Sequence, residues 1–173
     1  MADPDASEVI DTALCVSVSD GHHHAAATLL AAGADADVFR GSNNVFSIAV
    51  KNNDPRLVQM LLDSGADVDG LDMWVHLERE DGVNVLQLLL KNGLNLEEYG
   101  GDALAAASQL SDYDSIRLLL VSGVDIDAVD WRGATALMAA GRYGHLETVD
   151  ELLRLGANVN APAASGDWPY TAL

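Results

Sequence analysis

Hydrophobic and polar positions in residues 130–160, DWRGATALMAAGRYGHLETVDELLRLGANVN, predict two short amphipathic helices, a glycine stop and a polar extended loop. Thr135 can cap the first helix, because its hydroxyl accepts from backbone N–H groups that have no partner inside the helix. Leu137, Met138, Ala139 and Ala140 follow, and this helix is expected to stop near Tyr143-Gly144. The second helix is expected from about Leu146 to Leu155, with Leu146, Val149, Leu152 and Leu153 on one face of the helical period. Gly156 stands where a left-handed C-terminal cap falls, a conformation that glycine adopts without steric cost. A helix pair this small cannot bury its own apolar face, so it needs neighbours built the same way.

The chain supplies them. The cap recurs as AAGADAD, DSGADVD, KNGLNLE, VSGVDID and RLGANVN, at Gly33, Gly65, Gly93, Gly123 and Gly156, with intervals of 32, 28, 30 and 33 residues. A leucine pair or triplet precedes every one of them. The best copy, Thr135-Ala136-Leu137-Met138-Ala139-Ala140 followed by Gly144-His145-Leu146-Glu147, resembles the ankyrin repeat, a unit of about 33 residues opened by T-P-L-H-x-A. Ala136 and Met138 replace the proline and histidine of that signature, which weakens its turn chemistry and leaves the periodicity intact. The resemblance covers residues 8–173 and implies an all-α ankyrin-repeat solenoid, built of helix-turn-helix units with hairpin or loop fingers.

On this register residues 1–7 form a mobile acidic leader, followed by repeats at about 8–39, 40–70, 71–98, 99–129 and 130–160 and a partial sixth at 161–173. The second repeat opens its second helix with Asp54-Pro55, an N-cap followed by proline where a missing N–H is harmless. The third repeat is short between Val68 and Asp72, with Trp74 in the place of Leu137, so the row of fingers is expected to have a notch near Gly70 and weak backbone protection over residues 66–76. The fourth repeat is read with a finger at Leu96-Glu97-Glu98-Tyr99-Gly100-Gly101, the two glycines forming a tight turn at its tip. Thr171-Ala172-Leu173 repeats Thr135-Ala136-Leu137 after 36 residues, so a sixth repeat begins there. Either the chain is a piece of a longer array, the favoured reading, or its tail folds back as a cap.

The formal net charge of −18, from 9 basic and 27 acidic residues, argues against a nucleic-acid partner and against an acidic membrane surface. Solubility is the plain reading of the acidity. Part of it is structural, since Asp35, Asp37, Asp67, Asp69, Glu97, Asp125 and Asp127 occupy two fixed places after the caps, where they can bond local backbone N–H groups. Cys15 is the only cysteine, so no intrachain disulfide forms, and no targeting segment or apolar run of 18 residues is found. The expected setting is intracellular, cytoplasmic or nuclear.

His22, His23 and His24 invite a metal reading, but three consecutive helical residues point in three directions and cannot converge on one ion. His22 aligns with His145 in the turn between helices, where a structural role is expected. Cys15 aligns with Met138 and reads as a partly buried small residue rather than a nucleophile. No G-x-S-x-G, H-E-x-x-H, P-loop or G-x-G-x-x-G motif occurs. No catalytic residue, cofactor or metal is expected, and the chain is read as a non-enzyme.

What the ankyrin resemblance implies is a protein partner held against the finger tips and the exposed end of each first helix. The family's contact positions fall, in the best copy, on Val129, Trp131, Arg132, Ala134, Arg142 and Tyr143. In the fourth repeat they fall on Leu96, Glu98, Tyr99, Gly101, Gln109 and Leu110, and in the second on Val38, Arg40, Gly41, Asn43, Lys51 and Asn52. Tyr99, Trp131 and Trp168 are placed on three successive fingers, where they would form an aromatic strip beside arginine, the residue types enriched at binding hot spots. Alternatively, Trp131 and Trp168 only cover neighbouring finger backbone. The expected function is a non-catalytic protein-interaction module, and the alternative is a structural or autoinhibitory arm of a larger signalling or sensor protein. Self-association through the open C-terminal face of Leu146, Val149 and Leu153 is also expected.

Overall fold

The structure, a computed structural model, describes residues 4–40, 43–68 and 82–161. Among the described residues there are nine helices: α1 (Pro4–Ser19), α2 (His23–Ala31), α3 (Val45–Lys51), α4 (Pro55–Asp63), α5 (Val83–Lys91), α6 (Leu96–Leu110), α7 (Tyr113–Val121), α8 (Ala136–Tyr143) and α9 (Leu146–Arg154). Two strands of two residues each, β1 (Phe39–Arg40) and β2 (Asn43–Asn44), make one antiparallel finger. The expected all-α ankyrin solenoid with hairpin fingers is what forms.

Each helix pair follows the same local chemistry. Gly33, Gly65, Gly93, Gly123 and Gly156 all take φ between 93° and 100°, the left-handed cap read from the sequence. A second left-handed residue ends the first helix of each described pair, namely Gly21, Asn53, Ser111 and Gly144. The next residue starts the second helix. There Asp54 Oδ1 accepts from the Arg56 and Leu57 N–H groups, and Asp112 Oδ1 from Ser115 N–H, all at 3.1 Å. Thr135 caps α8 by accepting from Met138 N–H at 3.3 Å.

First helices stack on first helices (α1 on α3, α6 on α8), and second helices on second helices (α2 on α4, α4 on α5, α5 on α7). One apolar seam runs through the stack, with Leu61, Leu89, Leu119 and Leu152 fully buried at equivalent places in the second helices. Cys15 belongs to this core and is fully rather than partly buried. Polar bonds also tie repeats together. His145 Nε2 lies 2.7 Å from the Gln109 carbonyl, and His23 Nε2 lies 2.7 Å from Asp54 Oδ2. His22 and His145 stand at the same place, each just before its second helix, as aligned, but in the first repeat the bridging ring is the next residue, His23, and it faces the following repeat.

The acidic places after the caps act across repeats as well as locally. Asp35 Oδ1 and Asp125 Oδ1 accept from Asp37 and Asp127 N–H at 2.9 and 3.0 Å, as expected. Asp37 Oδ1 then accepts from Asp67 N–H, and Asp127 Oδ1 from Asn158 N–H, each at 2.9 Å and each one repeat onward. In the first repeat the corresponding N–H, that of Asp35, donates instead to Asp11 Oδ1 of α1 at 2.9 Å.

Two boundary readings change. Helix α1 begins at Pro4, inside the stretch read as the leader. The stretch Leu96–Gly101 is not a finger: it forms the opening of the 15-residue helix α6, started by Asn95 Oδ1 accepting from Glu97 N–H at 3.1 Å. Glu97 and Glu98 in the first turn suit the positive end of the helix dipole. The notch near Gly70 with Trp74, the tail bearing Trp168, and the Thr171-Ala172-Leu173 repeat lie outside the described residues.

Among the described residues α9, the last helix, exposes a face that is buried in the earlier second helices. The place held by buried Ala26, Val58, Leu86 and Ile116 in α2, α4, α5 and α7 falls to a partly exposed Val149, and Leu146 is 77 % exposed.

Candidate partner-binding surface

The finger of the fifth repeat is built from its base upward. Asp130 is buried, and its Oδ1 accepts from the N–H groups of Arg132 and Ala134 at 2.9 and 2.8 Å. Its Oδ2 accepts from Arg132 Nε at 3.0 Å. The backbone closes around this carboxylate through Asp130 N–H to the Ala134 carbonyl at 2.8 Å and Gly133 N–H to the Asp130 carbonyl at 2.7 Å. Gly133 takes φ 80°, which the tight reversal requires.

The preceding repeat supports the finger from below. Trp131 N–H donates to Asp102 Oδ1 at 2.8 Å, and the Val129 carbonyl lies directly on Gly101. A Cβ at Gly101 would sit 2.1 Å from that oxygen, so this approach is open only to glycine. Burial raises the Asp102 carboxyl above the ordinary carboxylate value; the Trp131 N–H opposes the rise, neighbouring Asp130 adds to it and Arg132 opposes it.

A carboxylate with a raised native value binds more protons in the folded than in the unfolded chain, so its contribution to stability falls as pH rises through that native value. Asp102→Asn keeps an oxygen for Trp131 N–H and removes the desolvated charge. The variant should match or exceed the parent in denaturant melts at pH 7, and its advantage should shrink as pH drops toward the unfolded carboxylate value, about 3.9. An advantage that grows on acidification would refute this account of Asp102.

What this scaffold displays is Trp131, 58 % exposed, with the Arg132 guanidinium carbon 5.4 Å from its ring centroid. Arg142 and Tyr143 are exposed at the far end of α8, about 12 Å along the helix axis. Tyr143 stacks on His145, with ring centroids 6.3 Å apart and planes 6° from parallel. Trp131 and Arg132 are thus brought together on the finger, while Arg142 and Tyr143 form a second group at the far end of the helix that follows it. Ala134, aligned with the family's contact positions, is buried in the finger base.

The other expected residues are more scattered. Glu98 is exposed on α6, whereas Tyr99 is half-buried and packs against the core. Neither lies on a finger, so the strip through Tyr99, Trp131 and Trp168 does not form as drawn; Trp168 is outside the described residues. Leu110 is half-buried at the end of α6, and Lys51 is exposed at the end of α3.

In the second repeat the finger register differs by one residue from the sequence alignment. Phe39 pairs with Asn44 as Val129 pairs with Thr135, and Arg40 pairs with Asn43. Arg40 therefore corresponds to Asp130 rather than to Trp131. The residue this correction brings out is Phe39, 68 % exposed on β1 and absent from the expected set. An aromatic next to an arginine in a short finger was the available signal.

Sequence comparison places the chain among known proteins. A model described as Ankyrin repeats (3 copies) matches residues 75–163, and one described as Ankyrin repeat matches residues 43–73. The chain belongs to the ankyrin repeat family. It is 36 % identical over 132 residues to the B-cell lymphoma 3 protein homolog of Mus musculus, which covers 69 % of this chain and 30 % of that protein. It is 36 % identical over 91 residues to the probable E3 ubiquitin-protein ligase XBOS32 of Oryza sativa subsp. japonica, covering 50 % of this chain and 18 % of the ligase.

The crystal structure of the ankyrin repeat domain of Bcl-3 superposes with a TM-score of 0.73 at 30 % identity, covering 94 % of this chain and 78 % of that one. The chain spans less than a third of the length of these curated relatives. No described helix is long and apolar enough to cross a membrane, and no group of three or more metal-binding side chains occurs among the described residues.

Proposed function

We propose that this chain is a non-catalytic protein-interaction module that seats a protein partner on its finger and first-helix edge, with Trp131 as the anchor. The observation that carries the reading is the contrast between backbone and side chain at Trp131. Its N–H and its neighbours are tied to Asp102 and Asp130, while its ring is 58 % exposed beside Arg132. An aromatic held in place before binding loses little freedom on docking, which is how rigid anchors gain affinity. Arg142 and Tyr143 extend the surface along α8, and Phe39 and Lys51 extend it to the second repeat; Arg40, Glu98, Tyr99 and Leu110 are less supported by position, and Trp168 lies outside the described residues.

The test compares the intact chain with Trp131→Ala and with Arg117→Ala, the latter on a second helix away from the fingers. Proteins captured by the intact chain should be lost at least tenfold with Trp131→Ala and retained with Arg117→Ala, by quantitative mass spectrometry. Equal retention by both variants would reject the surface. The relatives, in which the matched segment is a minor part of the length, favour a second reading: an arm within a larger protein. On that reading the captured partner would be another segment of the same polypeptide.

A further inference from the structure

Acidic residues are not spread evenly over the array. Residues 38–53, 103–111 and 131–146 contain none of the 27 Asp and Glu residues, yet hold Arg40, Lys51, Arg132 and Arg142 among the 9 basic ones. In the fold the described residues of these stretches belong to the second and fifth fingers, the first helices α3 and α8 and the body of α6. Their exposed side chains include Phe39, Lys51, Trp131, Arg142 and Tyr143. The carboxylates beside the fifth finger are occupied internally: Asp130 by Arg132 and two backbone N–H groups, Asp102 by Trp131 N–H. The second helices and cap loops carry the acid instead, as Asp112, Asp114, Asp125, Glu147, Asp150 and Glu151.

From this segregation we infer that the partner presents an acidic protein segment, an apolar or aromatic side chain flanked by Asp or Glu, to the edge made by Trp131, Arg142 and Tyr143. The inference rests on the proposed interaction surface and adds the chemistry of what fits it. On a strongly acidic chain the acid-free stretches are where such a segment meets least repulsion, so the charge pattern favours both the partner and the face on which it lands. Glu97 and Glu98 at the start of α6 interrupt the edge between the second and fifth repeats. The flanking carboxylates are therefore placed toward Arg142, at the far end of α8 from the finger. An arginine beside aromatic rings suits a planar carboxylate and an apolar neighbour together.

The test pans a random 12-residue peptide library on the intact chain and then measures the strongest peptide by fluorescence anisotropy. The enriched pool should be acidic relative to the library. Arg142→Gln should weaken that peptide about tenfold, the scale of one close charge pair, and Arg142→Glu further, with circular dichroism showing both variants folded at the assay temperature. A neutral or basic pool, or binding within twofold of the parent for Arg142→Glu, overturns the inference. So does a single-stranded oligonucleotide of equal charge that competes as well as the peptide. A basic pool abolished by Trp131→Ala would reject the acidic partner and leave the surface standing. A pool indifferent to Trp131→Ala would reject both.

Discussion

Leu119→Ala should destabilise the array by about 2–5 kcal/mol, the range for deleting a leucine from a close-packed core. Leu119 is fully buried on α7, a helix that packs against α5 and α6. Its counterparts Leu61, Leu89 and Leu152 are also fully buried, so the seam is a repeated contact, and in close-packed interiors a deleted side chain is only partly refilled by its neighbours. Total stability for a domain of this kind is on the order of 5–15 kcal/mol, so the loss is a large fraction of the whole. In a repeat array the damage has a second consequence. Each unit leans only on its neighbours, so weakening the α5–α7 seam should separate unfolding of the first repeats from that of the last ones. Urea melts followed by circular dichroism should show a lowered midpoint and a broadened or split transition. A change below about half a kcal/mol would show that Leu119 is not in the seam.

Much of this fold is legible in one pass along the chain, and the reasons are local. A left-handed glycine, a leucine pair and an Asp or Thr cap are short-range requirements, so Gly33, Leu61-Leu62, Asp54-Pro55 and Thr135 announce themselves. What was misread depends on contacts about 30 residues away. Gly100-Gly101 looks like a turn, because paired glycines usually punctuate helices. Here they lie inside α6, since Val124 and the Val129 carbonyl press where side chains would stand. Asp102 carries no motif either; its role exists only because Trp131 N–H arrives from the next repeat. The aspartates after the caps were legible as local turn formers, but not as acceptors for the following unit, for the same reason.

The candidate surface divides along the same line. Trp131 could be singled out because the core of its repeat is already supplied by leucines, and the structure leaves its ring exposed. Tyr99 followed from counting residues after a cap, and failed when the expected finger became helix. Phe39 was missed through a one-residue slip in the finger. In a two-residue strand a slip of one exchanges the inward and outward positions, so the sequence alignment falls on Val38, packed against the core, in place of Phe39.

Gly101→Ala should be the most damaging single-methyl change in the array, against the usual expectation for a glycine inside a helix. Propensity alone predicts a gain of up to about 1 kcal/mol from replacing a helical glycine with alanine. Gly141 on α8 provides that baseline, since a Cβ there meets nothing within 4 Å. At Gly101 the same Cβ would lie 2.1 Å from the Val129 carbonyl oxygen and 2.7 Å from its carbon. A side chain could rotate away from such a contact, as the methyls of Val124 can at 3.0 Å from a Cβ on Gly100. A backbone carbonyl cannot, because Val129 is fixed by its bridge to Thr135 and by the closed loop on Asp130. The finger must therefore lift from α6 as a unit, which breaks the bond from Trp131 N–H to Asp102. Overpacking costs about 1–3 kcal/mol, and loss of that hydrogen bond to a charged group about 1.5–3 kcal/mol more. These costs outweigh the propensity gain. Chemical denaturation should show Gly101→Ala destabilised by at least about 1–2 kcal/mol and Gly141→Ala unchanged or slightly stabilised. Hydrogen exchange should show the Trp131 amide losing protection in the first variant alone. If both variants gain stability and the Trp131 amide stays protected, the finger does not rest on α6, and the rigid presentation of Trp131 loses its physical basis.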